Sequence, residues 1–172
     1  MMAKNHLLVT SAIVIAAFKF KYLNFGTYYQ FYIFYFSALL GCLLPDIDEK
    51  ESYIGKKLLI LSFWISMFLR HKTFTHYLFL PILIFILGYY YATDKSQMVI
   101  FGIAFGIFLH SLEDMLTNRG IKGYLFPFFP NTYIALLPNI LRLETGGIIE
   151  SLWSYLIFFP LNAYLIYKVL VP

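Results

Sequence analysis

All four histidines and three of the four aspartates of this chain fall into a few short stretches. His6 stands near the start. Asp46 and Asp48 lie in LLPDIDEKES, His71 and His76 in RHKTFTH, and His110 and Asp114 in FLHSLEDMLT. Imidazole and carboxylate together form the donor set of zinc, and also of manganese or iron. His110 and Asp114 are four residues apart and share a helix face. Asp46 and Asp48, two apart after Pro45, point the same way in extended chain. His71 and His76 are five apart and converge only through a turn. Seven donors exceed the needs of one tetrahedral ion, so two divalent ions bridged by an aspartate are expected, zinc first. Such a pair activates water and clamps the oxygens of a phosphoryl group. The chemistry expected is therefore metal-dependent hydrolysis of a phosphoric ester.

Each residue also has an ordinary explanation. His6 could be an interfacial side chain. Pro-Asp-Ile-Asp could be a turn, with Asp48 capping the next helix. His71 beside Arg70 and Lys72 could anchor the chain to lipid headgroups. His110 and Asp114 could form a structural pair. What favours the metal reading is their setting, because ionisable groups among apolar segments are costly and mark function.

That setting is a membrane protein. The 172 residues are 60% apolar and 13% charged, against about 45–50% and about 25% in soluble domains. Nineteen Phe and 15 Tyr suit lipid and its interfaces. The single cysteine, Cys42, excludes an internal disulfide. The net charge of +4 comes without a basic helix or aromatic platform, so no nucleic-acid partner is expected.

Spanning helices need roughly 17–25 apolar residues. Five are expected, at Leu7–Leu23, Gly26–Leu44, Tyr77–Ala92, Gln97 to about Leu116, and Ile148–Leu170, with a kink at Pro160. The first also resembles a signal peptide, but its cleavage pattern is weak. Ile54–Leu69 is apolar but short. Asn118–Gly147, rich in Gly and Pro, reads as a loop with apolar pieces at the membrane surface. The fold expected is an all-α, polytopic membrane helical bundle. It would be a single domain over residues 1–172, with an interfacial or re-entrant segment at 54–69.

One assumption gathers the polar residues. If Ile54–Leu69 does not cross the membrane, all seven donors lie on one face. That face also carries Lys4, Lys50, Lys56, Lys57, Arg70, Lys72, Arg119, Lys122 and Arg142. Lys19, Lys21, Lys95 and Lys168 fall on the other. By the positive-inside rule the site face is cytoplasmic.

The order of motifs is His6, LLPDID with Ser52 and Gly55, HKTFTH, GIFLHSLEDMLT, GYLFPF and TGGIIE. It resembles the LexA-regulated inner-membrane metal-dependent hydrolase family from His6 to Glu150, with a looser likeness in ligand pattern to zinc-dependent phospholipase C. The resemblance implies that His6, Asp46, Asp48, His71, His76, His110 and Asp114 are metal ligands, with Thr75 and Glu150 in or beside the site. Two positions depart from the family pattern: Lys72 stands for Arg and Tyr77 for Ser. Lys keeps the charge but loses the bidentate fork.

The mechanism expected is attack by a metal-activated water on a lipid phosphoric ester. Lys72, Arg70 or Arg119 would hold the phosphate charge, and Glu150, rather than Glu113, would relay the proton. The lipid substrate follows from the position of the site at the membrane face. Of the rivals, a transporter would spread its acids and histidines along a path. A metalloprotease would need His-Glu-x-x-His, which is missing, and a bis-histidine haem protein would leave the aspartates unexplained.

Overall fold

The computed structural model describes residues 1–68 and 74–170. Its helices are α1 (Ala3–Lys19), α2 (Tyr28–Gly41), α3 (Tyr53–Lys57), α4 (Leu59–Phe68), α5 (Phe79–Tyr91), α6 (Asp94–Asp114), α7 (Ile148–Trp153) and α8 (Phe159–Leu170). The all-α membrane-type bundle expected from the sequence is what forms. Among the described residues the strands are two residues each, β1 (Ile121–Lys122) and β2 (Tyr133–Ile134), paired antiparallel inside the 118–147 loop. Gly120 and Gly123, flanking β1, take positive φ, which glycine adopts without steric cost.

The polarity runs inside out. Asn5, His6, His76, His110 and Glu150 are fully buried, while Ile60, Tyr91 and Leu156 are 80%, 84% and 71% exposed. Apolar surface on this scale requires a non-aqueous environment. Among the described residues three helical stretches are long and apolar enough to cross a membrane: Tyr28–Asp48, Asp94–Asp114 and Ile148–Leu170. Two of the five expected spans are shorter. α1 has 17 residues and reaches about 26 Å, and α5 has 13 and reaches about 20 Å, against a hydrocarbon core of about 30 Å.

α2 and α6 form the central pair. Gly102 and Gly106 are four residues apart on α6 and face α2. A Cβ on Gly102 would lie 2.5 Å from the Phe34 carbonyl oxygen, and one on Gly106 would strike the Ala38 carbonyl. Small residues at this spacing let membrane helices touch backbone to backbone. α1 lies beside them. Ser11 Oγ donates to Asn162 Oδ1 (2.6 Å) and pairs with Tyr35 Oη (2.8 Å), joining α1 to α8 and α2 without a charge.

Two expectations are refined. The kink expected at Pro160 becomes a π turn over Ser154–Phe158, between α7 and α8. A proline lacks the N–H that would bond back to residue 156, and widening the preceding turn absorbs the mismatch. The segment after Ile54 breaks at Leu58 into α3 and α4. α4, ten residues long, reaches about 15 Å and does not cross.

Candidate metal centre

His6, His76 and His110 come from α1, from a 3₁₀ turn (Phe74–His76) and from α6. In each the Nδ1 atom faces an oxygen. His6 Nδ1 lies 2.6 Å from Glu113 Oε2. His110 Nδ1 lies 2.6 Å from the Cys42 carbonyl oxygen. His76 Nδ1 lies 2.9 Å from Thr75 Oγ1, which itself donates to Asp48 Oδ2 at 2.6 Å. A carbonyl oxygen and a hydroxyl whose hydrogen is already committed can only accept. His76 and His110 therefore carry their proton on Nδ1, and all three rings, held at Nδ1, turn Nε2 inward.

Those three Nε2 atoms meet Asp46 and Asp114. His110 Nε2 is 3.2 Å from His76 Nε2. It is 3.6 Å from Asp46 Oδ1 and 3.8 Å from Asp114 Oδ2. His76 Nε2 is 3.6 Å from Asp114 Oδ2 and 4.0 Å from Asp46 Oδ1. His6 Nε2 is 3.6 Å from Asp114 Oδ1 and, although buried, has no hydrogen-bond partner among the described residues. The His6 and His110 rings stack at 4.0 Å. The Met1 nitrogen donates to Asp114 Oδ1 at 2.5 Å.

This arrangement fits a metal ion on its own geometry. Two bare imidazole nitrogens 3.2 Å apart repel each other unless a cation lies between them. Ligands about 2.0–2.1 Å from a tetrahedral zinc are about 3.3 Å from one another. The carboxylate, hydroxyl and carbonyl behind the three rings are the outer partners that metal-binding histidines use.

The described donors form two overlapping triads, His6–Asp46–His110 and His76–His110–Asp114. His110 has one nitrogen to give, because the other is held by Cys42. The described donors thus crowd around one centre. A second ion, as expected from seven ligands, would need carboxylate bridging and donors beyond these five.

Of the seven sequence-predicted ligands, the structure brings together His6, Asp46, His76, His110 and Asp114. Asp48 is adjacent but works through Thr75, its Oδ2 accepting from Thr75 Oγ1 and lying 3.8 Å from His76 Nδ1. His71, Arg70 and Lys72 lie outside the described residues. Arg119 lines a cavity of about 690 Å³ with Lys4, Asp46, Glu49, Ser52 and Tyr53. Asp46 is the candidate ligand open to it, with 17% of its side chain exposed.

The acid expected to relay protons is placed differently. Glu150 Oε1 accepts from Met2 N (2.7 Å) and from Asn5 Nδ2, and its Oε2 accepts from Gly146 N (2.7 Å). It ties the start of α1 to the turn before α7. Glu113, the acid set aside on the sequence, is the one that touches a candidate ligand. Thr10 Oγ1 donates to its other oxygen at 3.0 Å. Both contacts had a signal in the spacing. Glu113 follows His110 by three and Thr10 follows His6 by four, each on the same helix face.

Bundle and cluster together define a polytopic helical membrane protein with a buried histidine–aspartate centre near one end of its helices. The chain belongs to the YdjM inner membrane protein family, whose model matches residues 1–171. It is 36% identical over 116 residues to a Bacillus subtilis (strain 168) protein named "Uncharacterized protein YvsG", covering 67% of this chain and 68% of that one. It is 38% identical over 92 residues to the inner membrane protein YdjM of Escherichia coli (strain K12), covering 49% of this chain and 45% of YdjM. The YdjM protein of Shigella flexneri matches to the same extent. No solved structure matches.

Proposed function

We propose that this inner-membrane protein is a metal-dependent hydrolase that cleaves a phosphoric ester of a membrane lipid. The observation that carries the reading is the convergence of three Nδ1-pinned imidazoles on Asp46 and Asp114. A divalent ion, zinc first and manganese or iron as alternatives, would be held by Nε2 of His6, His76 and His110 and by the two carboxylates. Such an ion supplies Lewis acidity and a water acidic enough to attack phosphorus near neutral pH.

The chain's own groups do the rest. Glu113, Thr75 and the Cys42 carbonyl fix the rings. The buried setting strengthens every charge contact inside it. Asp46 meets the cavity, where Arg119 and Lys4 offer positive charge to an anionic ester. Arg70 and Lys72 are further candidates for that role by sequence.

The site end is assigned to the cytoplasm. Nine of the 13 Lys and Arg belong to it by sequence. Lys19 donates to the Lys168 carbonyl and Lys95 lies over the Tyr29 ring, which agrees with placing those lysines at the opposite end.

The alternative is a non-catalytic metal-binding protein or transporter. Candidate ligands confined to helix ends, with uncharged groups such as Ser11, Tyr35 and Asn162 deeper in the bundle, argue against a transport path. The test is turnover of phosphomonoester and phosphodiester lipids in mixed micelles. Activity should vanish on chelation and return with zinc. Arg119→Ala should lower it by about 10–1000-fold with metal content unchanged. Metal-loaded protein that leaves every such lipid intact would establish the non-catalytic reading.

A further inference from the structure

One apolar concavity among the described residues has none of the candidate metal ligands in its lining. It holds about 690 Å³ and lies between α2, α5 and α6. Its lining includes Leu78, Ile82, Phe34, Phe105, Phe108 and Met98. Asn24 is the one polar side chain on its wall. The groove starts next to the candidate ligands in the chain. Leu78 is two residues beyond His76, and Phe108 is two residues before His110. From Phe108 it follows α6 back to Met98, about 15 Å along the helix axis. At its far end stand Leu23–Phe25, in the turn between α1 and α2. Beyond Ile82, Phe85 stacks on Phe101 at 4.5 Å. Further on, a Cβ on Gly88 would lie 2.6 Å from Ile100 Cγ2, so α5 and α6 close on each other there.

We infer that this groove holds one hydrocarbon tail of a membrane lipid whose anionic head reaches the metal centre. The proposal rests on the phosphoric-ester reading and names its substrate class: a lipid recognised by chain as well as by head. The occupant follows from three observations. The wall is apolar over its length and lies in a part of the bundle surrounded by lipid. One end is lined by Leu78 and Phe108, each two residues in sequence from a metal-ligand candidate. The cavity that contains Asp46 also carries Arg119 and Lys4, two cations that can meet the phosphate beside the acids Glu49 and Glu51. A tail in a preformed groove also fixes the head, and a positioned ester reacts faster than a free one.

The probe is a phosphatidic acid carrying a photoreactive diazirine at the distal end of one acyl chain, offered to the full protein in mixed micelles. Crosslinks are mapped by mass spectrometry, and bound metal is measured on the same samples. The distal label should fall on residues 23–25, Met98 or Phe101. Ile82→Trp, which fills the end near the ligands, should lower that labelling about tenfold. That loss corresponds to roughly two methylene groups leaving an apolar site. Met98→Trp, which fills the far end, should shift the preference to shorter chains. Both variants should keep wild-type metal content, which reports that they fold. Metal-bound protein whose label spreads over the outer faces of α5 and α8, with no preference for the groove, overturns the tail site alone. Groove labelling in a protein that binds no metal keeps the tail site and removes the hydrolase reading.

Discussion

Glu113 and Thr75 determine how two of the three imidazoles present themselves. Neither is a ligand in the arrangement described, yet each holds a ring at Nδ1. Glu113→Gln exposes an amide to His6 Nδ1, and Thr75→Val removes the hydroxyl that links His76 to Asp48. Each change should weaken metal affinity by about 10–100-fold with the five donors intact, the usual cost of losing an outer partner. Chelator competition measures it, and an affinity unchanged in both variants would remove the orienting role. Glu150→Gln should behave differently. Its carboxylate touches Met2, Asn5 and Gly146, so the expected effect is lower thermal stability before any loss of metal. At this scale the sequence was legible for donor types and for the pair at 110 and 114. It was not legible for which donor is inner and which outer. Asp48 and Asp46 share a motif, but a single turn of backbone aims one at Thr75 and the other at His110.

Among the elements, the α2–α6 contact carries the most. His110 lies four residues beyond Gly106 on α6, and its Nδ1 meets the Cys42 carbonyl at the end of α2. The backbone approach at Gly102 and Gly106 therefore sets whether His110 is held at all. Gly106→Val places a side chain against the Ala38 carbonyl and should cost about 1–3 kcal/mol by overpacking. Thermal unfolding in detergent should show a lowered midpoint, with metal lost in parallel. A variant as stable as the native chain would mean that the two helices need not touch there. The spans of α2, α6 and the 148–170 segment were readable from apolar run length. The shortness of α5 was less so, because the span expected at Tyr77–Ala92 loses only Tyr77 and Leu78 before the helix and its cap Ala92 after it. The π turn before Pro160 shows how a predicted kink can be spread over one widened turn instead.

For the whole molecule, the decisive fact is that helix hairpins return their polar ends to the same place. α1 starts, α2 ends, α5 starts and α6 ends at the cluster. The one condition for this, a segment after Ile54 too short to cross, is met by α3 and α4. Orientation is testable on the same basis. In a Cys42→Ala background, Lys95→Cys should react with a membrane-impermeant maleimide added outside intact cells, and Lys122→Cys should not. The reverse pattern would place the site end outside.

The most direct test of the centre is bound metal per chain, measured by elemental mass spectrometry on protein purified in detergent beside a His110→Ala/Asp114→Ala variant. At least about one equivalent of zinc, manganese or iron, lost in the variant, is the expected result. A native chain that holds no metal, before or after reconstitution, would contradict the metal centre and leave these side chains as a buried structural network.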